Sequence, residues 1–187
     1  MSTVPERKDI DEEYKWDLES IYPDEDHWEE AYEDVEARID DLREYEGRAT
    51  ESAETLLELL ELYEDVMRDV AKVAAYASLR SAEDTRNQEY QAISAKADSL
   101  RSDASSATSF LEPELQELTE NEVEGMLQAE PDLQEYEHYF DDVLRMKPHT
   151  RSAEVEELLA ELSEVTDASS DIYGMLSNAD LTFPTVE

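Results

Sequence analysis

The sequence predicts an all-α fold: an antiparallel helical bundle built on one long helix pair, about 53–82 and 84–111. Three observations carry this. Tyr90, Ile93, Ala97, Leu100, Ala104, Ala107 and Leu111 recur at alternating spacings of 3 and 4, which places them on one helix face. Leu56, Leu59, Leu60, Tyr63, Val66, Met67, Val70, Val73, Ala74 and Ala77 make a second stripe of the same period. Between and around these stripes the charge changes. Residues 71–112 hold five bases (Lys72, Arg80, Arg86, Lys96, Arg101) and six acids, a net charge of −1, in a chain of 187 residues and net charge −37. A segment spared from such a bias is expected to be hidden from solvent. Three of the seven residues in the 90–111 stripe are alanine, so a neighbouring helix can approach to the short end of the usual ~8–10 Å range.

The remaining elements follow in chain order. Residues 1–23, bounded by Pro5 and Pro23, lack a long helical pattern. They are expected to form an extended strap whose bulky residues, Tyr14 to Tyr22, lie across the bundle. The single helical domain is expected over 24–187. Asp24 suits an N-cap, with Glu25 and Asp26 favourable in the first turn. Trp28, Tyr32, Val35, Ile39, Leu42 and Tyr45 then share a face until Gly47 stops the helix. Ser52 or Thr50 opens the first long helix, and Asp84 is positioned to cap the second. Pro113 suits a first helical turn, and short helices are expected at 113–118 and 121–128. Pro131 begins another, with Leu133, Tyr136, Phe140, Val143 and Leu144 inward, ended by Lys147-Pro148. A helix capped by Ser152 buries Val155, Leu158, Leu159 and Leu162. One more, over 167–177, turns Ile172, Tyr173 and Leu176 inward. The tail 181–187 alternates in apolar character like the start of a strand. A strand needs a partner, and this chain offers none, so the sequence reads as a truncated structure.

Composition narrows the function. Cysteine is absent, which removes disulfides and thiolate chemistry. No run is long enough to span a bilayer, and the first residues lack a signal-peptide pattern, so a cytoplasmic protein is expected. Acids number 52 against 15 bases, and only five of the bases are lysine. No basic patch exists for a phosphate backbone or an anionic membrane, which argues against nucleic-acid and membrane partners. Regular stripes argue against disorder. A folded chain this acidic suits concentrated salt, where the Debye length falls to ~3 Å and exposed carboxylates barely repel. A halophile's protein is the expectation.

No catalytic, cofactor-binding or metal-ligating residue is assigned. His27, His138 and His149 have no helical i, i+4 pairing and no His-Glu-x-x-His, whereas a catalytic zinc needs about three clustered ligands. Three glycines form no phosphate loop, and no Gly-x-Ser-x-Gly elbow exists.

Several blocks do resemble one family. These are Tyr14-Lys15-Trp16-Asp17-Leu18 with Ile21-Tyr22-Pro23 and Trp28; the run from Tyr76 to Thr85; Tyr90-Gln91-Ala92; Ser105 to Glu114; Ser152 to Ala160; and Leu176 to Phe183. Their order and content are similar to the amino-terminal region of the oligoendopeptidase F family, zinc metallopeptidases of the thimet-oligopeptidase type. The resemblance implies a parent enzyme that hydrolyses oligopeptides in a helical cavity. Its zinc and catalytic Glu lie on a His-Glu-x-x-His helix downstream of the matched region, so no such residue carries over to this chain. It also implies a non-catalytic part that walls the cavity, partnered by the remainder of its own polypeptide and, in the parent, by short peptides. The alternative is a free-standing acidic helical module that binds another protein. Truncation further predicts an uncovered apolar face near 133–144 and 172–183, and self-association through it.

Overall fold

The structure is a computed structural model, and it describes residues 9–84, 87–148 and Tyr173. Within residues 9–148, six α-helices run in order among the described residues: α1 (Glu25–Arg43), α2 (Ala53–Glu83), α3 (Gln88–Ala107), α4 (Leu111–Glu117), α5 (Glu120–Ala129) and α6 (Glu137–Met146). The described residues contain no strand. The chain divides into two compact units, Met1–Leu144 and Arg145–Glu187. The architecture below is that of the first.

Helices α1, α2 and α3 pack on one another as a three-helix bundle, the α2–α3 hairpin forming its largest interface. Every residue of the α1 stripe from Trp28 to Leu42 is buried, at spacings of 4, 3, 4 and 3. From α2 come Leu56, Leu59, Leu60, Val66, Val70, Val73, Tyr76 and Ala77, and from α3 come Ala97, Leu100, Ala104 and Ala107. The alanines Ala77 and Ala104 are fully covered, so close helix approach replaces side-chain bulk along this seam. Ile93 and Tyr90, at the opening of α3, are only partly buried.

The helix starts follow their caps. Asp24 Oδ1 accepts from His27 N at 3.0 Å and Ser52 Oγ from Thr55 N at 3.0 Å. Thr119 and Glu122 form a reciprocal capping box at α5. Asp84 does not cap α3. Asn87 does, its Oδ1 accepting from the backbone N–H groups of Glu89 and Tyr90, so α3 begins four residues later than expected. Gly47, with φ 76°, turns the chain inside the α1–α2 loop rather than at the helix end, since α1 closes at Arg43.

Three further expectations are corrected. The strap is not extended throughout: single 3-10 turns form at Glu12–Tyr14 and Leu18–Ser20. Of its bulky residues, Leu18 and Tyr22 are buried while Tyr14 and Trp16 are 74% and 51% exposed. The segment opened by Pro131 winds first as a 3-10 helix, Pro131–Tyr136, and only then as α6. Finally, 133–144 is not an uncovered apolar face. Leu133, Phe140 and Val143 are buried, and Tyr136, Tyr139 and Leu144 pack against the core. The Pro131–Tyr136 turn achieves this by packing on both α5 and α2.

In the second unit Tyr173 is helical and 71% exposed, against the expectation that it points inward. The helix expected from Ser152, the remainder of 167–177 and the strand-like tail lie outside the described residues.

Candidate functional site

Polar side chains join the elements at four points. Arg80 is the most connected. Its Nε donates to Tyr76 Oη at 3.2 Å, its Nη1 to Glu83 Oε2 at 3.1 Å and its Nη2 to Glu19 Oε1 at 2.9 Å. Burial works against the guanidinium charge, but the hydrogen bonds it donates to Tyr76, Glu19 and Glu83 outweigh this and raise its pKa. This group ties the Leu18–Ser20 turn to the end of α2. Beside it, Tyr22 meets Tyr76 edge to face at 5.4 Å and carries Lys72 4.8 Å above its ring.

Lys96 joins α3 to α1. Its Nζ pairs with Glu29 Oε1 and lies 4.3 Å from the Tyr32 ring centroid. Arg38 joins α1 to α2 through Asp69, at 2.6 Å. Glu114 joins α4 to the α1–α2 loop through the backbone N–H groups of Gly47 and Ala49.

A cleft of about 350 Å³ opens where α3 ends, lined by Tyr63, Ser105, Thr108, Ser109, Glu112 and Tyr139 among others. Burial, reinforced by the Glu112 charge, pushes the Tyr139 phenol up to about 12. Near neutral pH that phenol stays protonated and can donate a hydrogen bond but cannot act as a base. The cleft therefore offers hydroxyls for binding and no activated nucleophile.

The histidines stand apart. His27 Nδ1 lies 2.6 Å from Asp24 Oδ1, and the Asp24 hydrogen bond raises the His27 pKa. His138 is exposed on α6, 3.7 Å from Asp142. His149 lies outside the described residues. Among the described residues no group of three or more His, Cys, Asp or Glu side chains could hold a metal ion. They do not fit a catalytic zinc, and no catalytic step is derived from them.

One surface departs from the rest. The exposed side of α1 is acidic (Glu30, Glu33, Asp34, Glu36, Asp40, Asp41), as is that of the first half of α2 (Glu54, Glu58, Glu61, Glu64, Asp65). The exposed side of α3 is mixed: Gln88, Ala92, Ala95, Ser99, Ser102 and Ser106 are neutral, and Glu89, Asp98, Arg101 and Asp103 lie among them. Much of 71–112 is therefore exposed rather than hidden, and its near-neutrality reflects bases such as Lys72 and Arg101 offsetting acids such as Asp98 and Asp103.

Comparison with known proteins places these features. The chain is 38% identical over 181 residues to Group B oligopeptidase PepB of Streptococcus agalactiae and 35% identical over 184 residues to oligopeptidase PepF of Bacillus subtilis. These alignments take in 97% and 98% of the chain. Residues 114–183 match the family described as Oligopeptidase F. The chain is related to the amino-terminal region of oligoendopeptidase F.

The crystal structure of oligoendopeptidase-F from Enterococcus faecium shares the fold with a TM-score of 0.70 and 35% identity, over 88% of this chain and 32% of that one. A putative peptidase from Chlamydophila abortus follows, with a TM-score of 0.66 at 25% identity over 97% of this chain and 31% of the other. The chain spans about 30% of the length of the curated relatives it matches. Some of the blocks that resemble the oligoendopeptidase F family fall on the junctions described above. Tyr22 of the first block meets Tyr76 of the second, and Arg80 of the second pairs with Glu19 just after Leu18. Ser105–Glu114 forms the cleft wall and ends in the Glu114 clamp. The sequence did not reveal the Lys96–Glu29 tie or the cleft, because neither has a local pattern. No described helix is long and apolar enough to cross a membrane.

Proposed function

We propose that this chain forms the amino-terminal helical region of a longer oligoendopeptidase F-type peptidase, walling the cavity that admits short peptides. The observation that supports this is the asymmetry of coverage: nearly all of this chain aligns, but with less than a third of each relative. In this reading the zinc ion and the catalytic residues belong to another part of the polypeptide, and no residue of 1–187 is assigned to catalysis. The helices contribute shape. Buried seams hold α1–α3 rigid, and a rigid wall can restrict a cavity to short, flexible substrates. The same reading makes the protein cytoplasmic and, from its charge, adapted to concentrated salt.

The test is hydrolysis of short fluorogenic peptides by the complete natural reading frame, with and without chelator. Chelator-sensitive cleavage by the complete polypeptide, with none by residues 1–187 alone, supports the reading. A complete polypeptide without peptidase activity, or cleavage by residues 1–187 alone, overturns it.

A further inference from the structure

The strap holds its aromatic and charged side chains the wrong way round for a surface that stays in water. Tyr14 and Trp16 are 74% and 51% exposed, while Lys15 between them is largely covered, its side chain 15% exposed. Water favours the opposite arrangement, with the rings inward and the ammonium out. Local contacts hold this arrangement. Tyr14 N donates to Asp11 O at 3.0 Å and Lys15 N to Glu12 O at 3.1 Å, which closes the Glu12–Tyr14 turn. Lys15 then has extended backbone, φ −99° and ψ 148°, so its side chain and those of its two neighbours point to opposite sides. Its Nζ pairs with Glu12 Oε1 at 2.6 Å. Beyond Trp16, Leu18 is buried, Glu19 accepts from Arg80 and Tyr22 packs edge to face on Tyr76. A slip of one residue would turn the rings inward, but it would move Leu18 and Tyr22 out of the core.

We propose that Tyr14 and Trp16 are anchors on which the rest of the longer polypeptide docks against this helical region. This rests on the functional reading above and adds to it the surface and its occupant. Tyrosine and tryptophan bring large contact area on few rotatable bonds, and the anchors of protein interfaces are drawn from them. Coverage, charge and tethering choose the occupant. The alignments omit too few residues to leave out 14–16, and over two thirds of each relative lies outside them, a body large enough to cover the pair. A second copy of this chain is disfavoured. Asp11, Glu12, Glu13, Asp17 and Glu19 are exposed and flank the pair, and a symmetric contact would set them against their own kind. A peptide substrate would leave the rings bare between turnovers, whereas a tethered remainder is present at high effective concentration throughout. The docking surface has to supply an apolar pocket for the two rings.

Hydroxyl-radical footprinting of the complete natural polypeptide, read by mass spectrometry, reports on the pair without any substitution. Trp28, 1% exposed, sets the rate of a covered indole, and the polypeptide in denaturant sets that of a free one. The proposal expects Trp16 to be oxidised ~10-fold or more slowly in the folded than in the denatured polypeptide, because a docked ring reacts only through opening. Tyr14 should be protected with it. A Trp16 that reacts as fast folded as denatured overturns the docking site. Photocrosslinking of the Trp16→p-benzoylphenylalanine variant of the complete polypeptide then identifies the occupant. Attachment to residues beyond 187 of the same molecule supports the proposal. Attachment within 145–187, or to a second molecule, assigns the rings to another occupant and overturns it. If the polypeptide is nevertheless a chelator-sensitive peptidase, the functional reading survives and only this inference falls. A natural polypeptide that ends at Glu187 overturns both.

Discussion

The carboxylate of Glu114 accepts the backbone N–H of Gly47 at 2.5 Å, across 67 residues of sequence. Its second oxygen takes the N–H of Ala49 at 3.0 Å. Gly47 holds the positive φ that turns the α1–α2 loop, and Ala49 is fully buried just after it. One side chain on α4 thus fixes the loop that sets how α1 meets α2. Glu114→Ala leaves both donors without this acceptor and is expected to cost ~2 kcal/mol, while Glu114→Gln, which keeps one good acceptor, recovers part of that. Urea unfolding in molar salt measures both. If Glu114→Ala unfolds at the parental midpoint, the clamp does not contribute.

The alanine seam makes a sharper claim about register. Leu100 is buried between helices and Ser99, one residue earlier, faces water. Leu100→Asp places a carboxylate in that interior and is expected to cost several kcal/mol, ~3 or more, whereas Ser99→Asp should stay within ~0.5 kcal/mol of the parent. Equal stability of the two variants contradicts the helix-face assignment.

These two cases divide what the sequence reveals from what it cannot. Stripes at spacings of 3 and 4 located α1, α2 and the buried side of α3, because periodicity is local and the seam repeats over many turns. The caps Asp24 and Ser52 were legible for the same reason. Asp84, Thr85 and Asn87 are all good N-cap types within four residues, and only the position of the Asn87 side chain against Glu89 and Tyr90 decides among them. Six residues from Pro131 are too few for the pattern to separate a 3-10 from an α-helical turn. Long-range ties were invisible for a different reason. In a chain of 52 acids Lys96 has many candidate carboxylates, and only folding selects Glu29.

The two tryptophans should report the fold separately. Trp28 is 1% exposed and donates its indole N–H to Val73 O at 3.0 Å, while Trp16 is 51% exposed. Trp16→Phe should leave blue-shifted emission that acrylamide barely quenches, and Trp28→Phe should leave red-shifted emission that it quenches readily. Trp28→Phe should also lose ~1 kcal/mol or more, for the hydrogen bond and the lost packing volume. Similar quenching of both variants contradicts the placement of one of these residues.

The Asp24–His27 pair at the start of α1 predicts a pH response of known sign. The Asp24 hydrogen bond raises the His27 pKa above 6.5, and the same contact lowers that of Asp24 below 3.8. Folded His27 thus holds its proton more tightly than unfolded His27. Its contribution to stability is complete below about pH 6.5 and disappears as pH rises through the folded value. The Asp24 contribution is present above 3.8 and lost as pH falls through its lowered pKa. An NMR titration should give a His27 midpoint above 6.5, and Asp24→Asn should bring it down. A His27 midpoint unchanged by Asp24→Asn contradicts the pair.

Salt should matter more than any of these side chains. The chain carries a net charge of −37, and on the outward sides of α1 and the first half of α2 carboxylates lie within a few residues of one another. At 0.1 M ionic strength the Debye length is ~10 Å, so each carboxylate feels several neighbours, while at 1 M it is ~3 Å and that repulsion is largely screened. Unfolding separates the charges, so repulsion opposes the compact state in dilute buffer. Thermal melts of residues 1–187 should rise steeply from dilute buffer to molar KCl. Sucrose at matched osmolality isolates the mechanism: it strengthens burial by exclusion from the surface but screens nothing, and it should recover only a small part of the shift. A Tm as high in dilute buffer as in molar KCl contradicts adaptation to salt, and a full recovery by sucrose contradicts charge screening as its cause.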